Sequence, residues 1–150
     1  MLIRRSREIA APTRMVWSLA TDPTHLPRWW PGTQRVENVN RGGWTLVFST
    51  PRGRTVRADY ALRTTEPPRL ARWRQELDGT PFARIFASVE YELRLGGSDG
   101  AVEVELSVDQ RYAGWARFGR FQLRRAARRQ LDDALAGLAA LAEARAAGAA

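Results

Sequence analysis

The chain contains no cysteine, no lysine and only one histidine, His25. Without cysteine there is no disulfide, no thiol nucleophile and no thiolate metal site. Zinc sites usually draw several ligands from histidine and cysteine, so none is expected, and no other cofactor is implied. Without lysine, Schiff-base chemistry is confined to the N-terminal amine. Long apolar runs are missing too, and nothing approaches the roughly 18 residues of a membrane span. The opening MLIRRSREIAAP has arginines but no uninterrupted apolar stretch followed by a small-residue cleavage site. A cytoplasmic protein is therefore expected.

What is present is 150 residues, 44% hydrophobic and 27% charged, enough for one domain, 1–150, with a single sizeable core. All 24 basic residues are arginine and the net charge is +8. Such uniform usage reads as coding bias. The excess is also local, since Arg117, Arg120, Arg124, Arg125, Arg128 and Arg129 fall within thirteen residues. An arginine-rich helix meeting nucleic acid, an acidic partner or a membrane surface is one reading of that cluster. No motif beyond charge supports it, so nucleic acid is not the expected partner. The sequence carries no sign of oligomeric state.

Periodicity divides the chain into three parts. Residues 2–10 read as extended, and AAPTRMVWSLATD then starts a short helix with Pro12 in its first turn. Asp22 is a natural N-cap and Pro23 a natural first residue for a second helix. Pro27 disfavours helical geometry at Leu26, which predicts one or two broken turns ending at Pro31-Gly32. From 33 to about 112 the period is two, broken by the turns RGG, TPRGR, EPPR, DGTP and GGSDG. FARIFASVEYELRL reads as one strand. In the last strand Val102, Val104, Leu106 and Val108 alternate with Glu103, Glu105, Ser107 and Asp109, as in a sheet with one buried and one wet face. From about Trp115 the period becomes helical, with Leu131, Ala134, Leu135, Leu138 and Ala142 on one stripe and a tail, 146–150, expected to fray.

This order, with IAAPTRMVWSLATDPTHLPRWWPG, TEPPRLARWR and LDDALAGLAALAE, resembles the START-like or Bet v 1-like (SRPBCC) superfamily, and within it the bacterial polyketide cyclase/dehydrase branch. The resemblance covers roughly residues 3–143. It implies an α+β helix-grip fold: a curved seven-stranded antiparallel sheet around a long C-terminal helix, with two short helices between the first and second strands. It further implies an elongated apolar cavity between helix and sheet, with residues 16–32 as its end wall. Fold alone does not settle function.

The candidate ligand-binding residues are Trp29, Trp30, Tyr60, Trp73, Tyr91, Phe121 and Arg124. Of the adjacent tryptophans at most one faces a cavity, and the plainer reading has one sealing the core and the other covering the sheet edge. Tyr60, Tyr91, Trp73 and Gln75 are polar-tipped groups on otherwise apolar strand faces, and a buried one needs a partner in the protein or on a ligand. At 100° per residue Arg120 and Arg124 fall on the buried stripe of the last helix. Arg124 there either meets a ligand carboxylate or lies beyond the sheet rim in water. Arg5 and Arg7 share parity with Ile3 and Ile9, which means inward arginines or a bulge. His25 reads as an exposed or capping residue.

Three functions follow. The first is binding of a hydrophobic or aromatic small molecule with a polar end. The second is a cyclase- or aromatase-like enzyme using Tyr60 and Tyr91, although no compact catalytic signature is present. The third is the arginine-rich partner surface.

Overall fold

The computed structural model describes residues 1–50, 52–98 and 100–149. The expected turns at 50–54 and 96–100 each contain one residue outside that set, Pro51 and Asp99, and so does the end of the tail, Ala150. In chain order the elements are β1 (Leu2–Ile9), α1 (Thr13–Thr21), α2 (Leu26–Trp29), β2 (Thr33–Asn40), β3 (Gly43–Ser49), β4 (Thr55–Glu66), β5 (Leu70–Glu76), β6 (Phe86–Ser98), β7 (Ala101–Tyr112) and α3 (Arg120–Ala149). The seven strands make one antiparallel sheet in the order β1-β7-β6-β5-β4-β3-β2. Every strand lies beside its sequence neighbour except β1, which closes on β7. The short helices therefore carry the chain from one sheet edge to the other, and the sheet curves around α3 in the helix-grip arrangement.

The alternation in β7 explains its place. β7 has a neighbour on each side, and Val102, Val104, Leu106 and Val108 are fully buried. The outer face carries charge ladders instead. Arg72 sits opposite Glu92 across β5 and β6 and bonds it at 2.7 Å, and Arg94 bonds the same carboxylate. On such an exposed face each pair is a minor contribution to stability.

Local chemistry departs from the sequence reading in three places and decides an open alternative in a fourth. Leu26 is helical (φ −52°, ψ −38°) despite preceding Pro27, and Pro27 itself sits in the first turn of α2, where no N–H is required. The break falls one step earlier, where a 3-10 turn over Pro23–His25 meets α2. Residues 81–84 form a 3-10 turn started by Pro81, and β6 begins only at Phe86, so FARIF is not strand throughout. A third 3-10 turn, Gly114–Gly119, precedes α3, which then extends through Ala149. The pairing of β1 with β7 runs without a bulge from Leu2 to Ile9. Arg5 thus keeps the parity of Ile3, and at this sheet edge it reaches Asp132 of α3 at 2.7 Å.

Where α2 crosses α3, the contact is backbone to backbone. A Cβ at Gly137 would stand 2.6 Å from the Trp29 carbonyl oxygen. Alanine normally favours a helix interior over glycine by up to about 1 kcal/mol. Here the clash reverses the sign, and Gly137→Ala is expected to destabilise the fold by about 1–3 kcal/mol. Urea unfolding checks this, and a more stable variant would show that the two helices are not tightly seated.

Candidate functional site

The end of the sheet beneath α1 and α2 is filled by aromatic side chains. Trp30 meets Tyr91 edge-on at 5.4 Å and Trp29 at 5.5 Å. Trp73 stacks on the other side of Tyr91 at 5.6 Å, and Trp44 stacks on Tyr60 at 5.8 Å. The space left beneath Pro23 and Leu26 is only about 20 Å³, room for about one water. Residues 16–32 are an end wall, packed solid.

Further along the helix axis the packing opens. Between the start of α3 and the inner face of the sheet lies a cleft of about 250 Å³. Its sheet side is built by Phe48 of β3, Tyr60 of β4, Gln75 of β5, Val89 and Tyr91 of β6, and Gln110 of β7. Phe82, from the 3-10 turn after β5, and Phe86 close one flank, and Leu123, Ala126, Ala127 and Gln130 of α3 form the other wall. Among the described residues no charged side chain lines it. An engineered cavity of about 150 Å³ accepts benzene, so this cleft has room for a one- or two-ring body.

Five polar side chains interrupt the apolar lining. The Tyr91 hydroxyl donates to Gln130 Oε1 at 3.3 Å, and the Tyr112 hydroxyl, beside the cleft, donates to Gln110 Oε1 at 3.2 Å. Gln75 is 7% exposed, and its Nε2 is buried with no hydrogen-bond partner among the described residues. Such a donor costs about 1–3 kcal/mol when left unpaired, which makes it the most conspicuous group in the cleft. Burial holds the Tyr91 phenol well above its usual range. Tyr60 is raised by burial and, less, by Tyr91 beside it. Both therefore stay protonated near neutral pH, and neither is a phenolate base.

Of the seven candidates, Tyr60 and Tyr91 line the cleft, while Trp29, Trp30 and Trp73 pack around them as the end wall. Phe121 and Arg124 lie elsewhere. Phe121 is 78% exposed, and it sits roughly 160° around the helix from Leu123, which faces the cleft. Arg124 has the inward phase read from the sequence, but the first buried residue of α3 is Ala127, so this turn projects past the sheet rim. It ends near Tyr112, whose phenol is raised by burial against the opposing pull of Arg124 and Arg120. The residues not foreseen are Phe82 and Phe86, hidden in the expected strand, and Gln130 of α3; the parity of Gln75 was visible, but the lack of a partner for its Nε2 was not.

His25 stays outside the cleft. Asp22 caps the turn by accepting from the Thr24 N–H at 3.0 Å and from its hydroxyl at 2.7 Å, and His25 Nε2 stands 3.7 Å away. Burial works to raise the Asp22 carboxyl, but the Thr24 bonds and His25 outweigh it and hold it below its usual 3.8. A lowered carboxyl stabilises the fold above its unfolded value and loses that contribution as pH falls through the folded one. Asp22→Ala is expected to cost about 1 kcal/mol at neutral pH, with the gap from wild type closing in acid. Thermal melts at neutral pH and near about pH 3 check both parts.

A family profile described as polyketide cyclase / dehydrase and lipid transport matches residues 2–143. The chain belongs to that family. Among solved structures, this polyketide cyclase / dehydrase family member is similar to the Zhui aromatase/cyclase from Streptomyces sp. R1128, with TM-score 0.79, 19% identity, and 97% of this chain and 94% of that one covered. It is also similar to a START superfamily protein from Mycobacterium smegmatis (TM-score 0.75, 14% identity, 95% and 97% covered). A conserved protein from Geobacillus kaustophilus has TM-score 0.76 at 17% identity, with 93% of each chain covered. At these identities the likeness carries the fold. No protein of curated function matches the sequence. Among the described residues no group of three or more His, Cys, Asp or Glu is arranged to hold a metal ion, and no helix is long and apolar enough to cross a membrane.

Proposed function

We propose that the protein binds a neutral, largely apolar or aromatic small molecule whose polar end is a carbonyl-type acceptor, held in the cleft between α3 and the sheet. The observation that carries this reading is the unpaired buried Nε2 of Gln75 in a cleft with no charged lining. A carboxylate end finds no cation inside, whereas a ketone, ester or amide oxygen relieves the orphaned donor. The apolar body is held by Phe48, Phe82 and Phe86.

Calorimetric titration with naphthalene and with 2-acetylnaphthalene tests the proposal, because the two share an apolar body and differ in one carbonyl group. The ketone is expected to bind about 10- to 100-fold tighter. Equal affinities, or no binding of either, would sink the carbonyl assignment.

An enzymatic reading draws on the same side chains. The neutral phenols of Tyr60 and Tyr91 are placed to donate to an oxygen that gains charge during an enolisation, as in a cyclase-type reaction. Among the described residues no base lines the cleft, so binding and orienting are what the geometry supports best. Full turnover of an identified substrate by a Tyr60→Phe, Tyr91→Phe double variant would remove this second reading.

A further inference from the structure

Among the described residues the three most exposed large apolar side chains are aromatic. Trp115, Phe118 and Phe121 are 86%, 72% and 78% exposed. They follow one another at intervals of three through the 3-10 turn Gly114–Gly119 and into α3. Residues three apart in a 3-10 turn share one side, and the Trp115 and Phe118 rings lie 5.5 Å apart. The Arg117 guanidinium lies 5.4 Å from the centre of the Phe118 ring.

Positive charge surrounds these rings. From Gln110 to Leu131 the chain holds seven arginines and no acid. Among the described residues none of the seven takes part in an ion pair. Arg124, Arg125 and Arg128 fall within roughly 60° of Phe121 around α3. Trp and Phe beside a row of arginines is the composition of an interfacial anchor, in which rings enter the headgroup boundary and cations meet acidic lipid.

We propose that this end of the molecule docks on an anionic lipid bilayer. A second copy of the chain is a poor occupant, because two such arginine-rich segments repel each other and the segment from Gln110 to Leu131 holds no acid to offset the repulsion. A nucleic acid is less well matched, because Trp115 and Phe118 pack against each other and Arg117 covers Phe118, where base stacking needs free ring faces. The proposal goes beyond the ligand reading and does not depend on it, since none of these side chains lines the cleft.

Flotation with vesicles tests it, using pure phosphatidylcholine against phosphatidylcholine carrying about 30% phosphatidylserine. The protein is expected to float only with the anionic vesicles. Trp115→Ser with Phe118→Ser should weaken partitioning at least about tenfold, and Arg125→Gln with Arg128→Gln by roughly 30-fold. Both pairs should keep the wild-type melting midpoint, since the residues are exposed. No flotation with anionic vesicles, or flotation unchanged by the ring substitutions, would overturn the proposal. So would tighter binding to a single-stranded oligonucleotide through the same residues.

Discussion

Replacing Trp30 with alanine is expected to destabilise the domain by about 3–5 kcal/mol, which for a chain of this length lowers Tm by about 10–20 °C. The indole is 6% exposed and touches Trp29 on one side and Tyr91 on the other. The remaining space at this end is about 20 Å³, so little lies nearby to move into the gap. The cost then includes both lost transfer energy and an unfilled cavity. Tyr91, which forms part of the cleft wall, also loses its edge-on neighbour. Carbonyl-ligand affinity should therefore fall together with stability. By contrast Phe121→Ala, in an exposed ring, should stay within about 0.5 kcal/mol of wild type. Urea unfolding of both variants checks the contrast, and a loss below about 1 kcal/mol for Trp30→Ala would mean that the end wall is not packed as described.

Gln75→Leu should act with opposite signs on stability and binding. Leucine is close to glutamine in size and removes a buried donor that has no partner, so the ligand-free fold should gain about 1–2 kcal/mol. The same change removes the donor assigned to the ligand carbonyl, and affinity for 2-acetylnaphthalene should drop about 10- to 100-fold while affinity for naphthalene holds. A purely structural glutamine would not give this pattern. Loss of stability on substitution would show that the amide is satisfied within the fold. Proteins commonly carry such destabilising groups where function requires them.

Most of the architecture was legible because burial leaves a period in the sequence. β7 is apolar at every second position since it is covered on one face only, and α3 carries Leu131, Leu135 and Leu138 on one stripe since it lies along the sheet. The site was only half legible, and Arg124 shows why. Helical phase tells which way a residue points but not where the sheet beneath it ends, so an inward-phased arginine stands past the rim in water. Phe82 was hidden by a proline-started turn inside an apolar run. Gln75 had readable parity, but whether its amide finds a partner depends on neighbours from other strands and from α3, which no local pattern records.

The central claim is that Gln75 meets a ligand carbonyl inside the cleft. The most direct measurement is ¹⁵N-resolved NMR of the glutamine side-chain amides during titration with 2-acetylnaphthalene. A saturable shift of the Gln75 Nε2 resonances, with weaker shifts at Gln110 and Gln130 and none at the exposed Gln122, is the predicted result. Unmoved Gln75 resonances while the ligand binds elsewhere, or at saturating ketone, would contradict it.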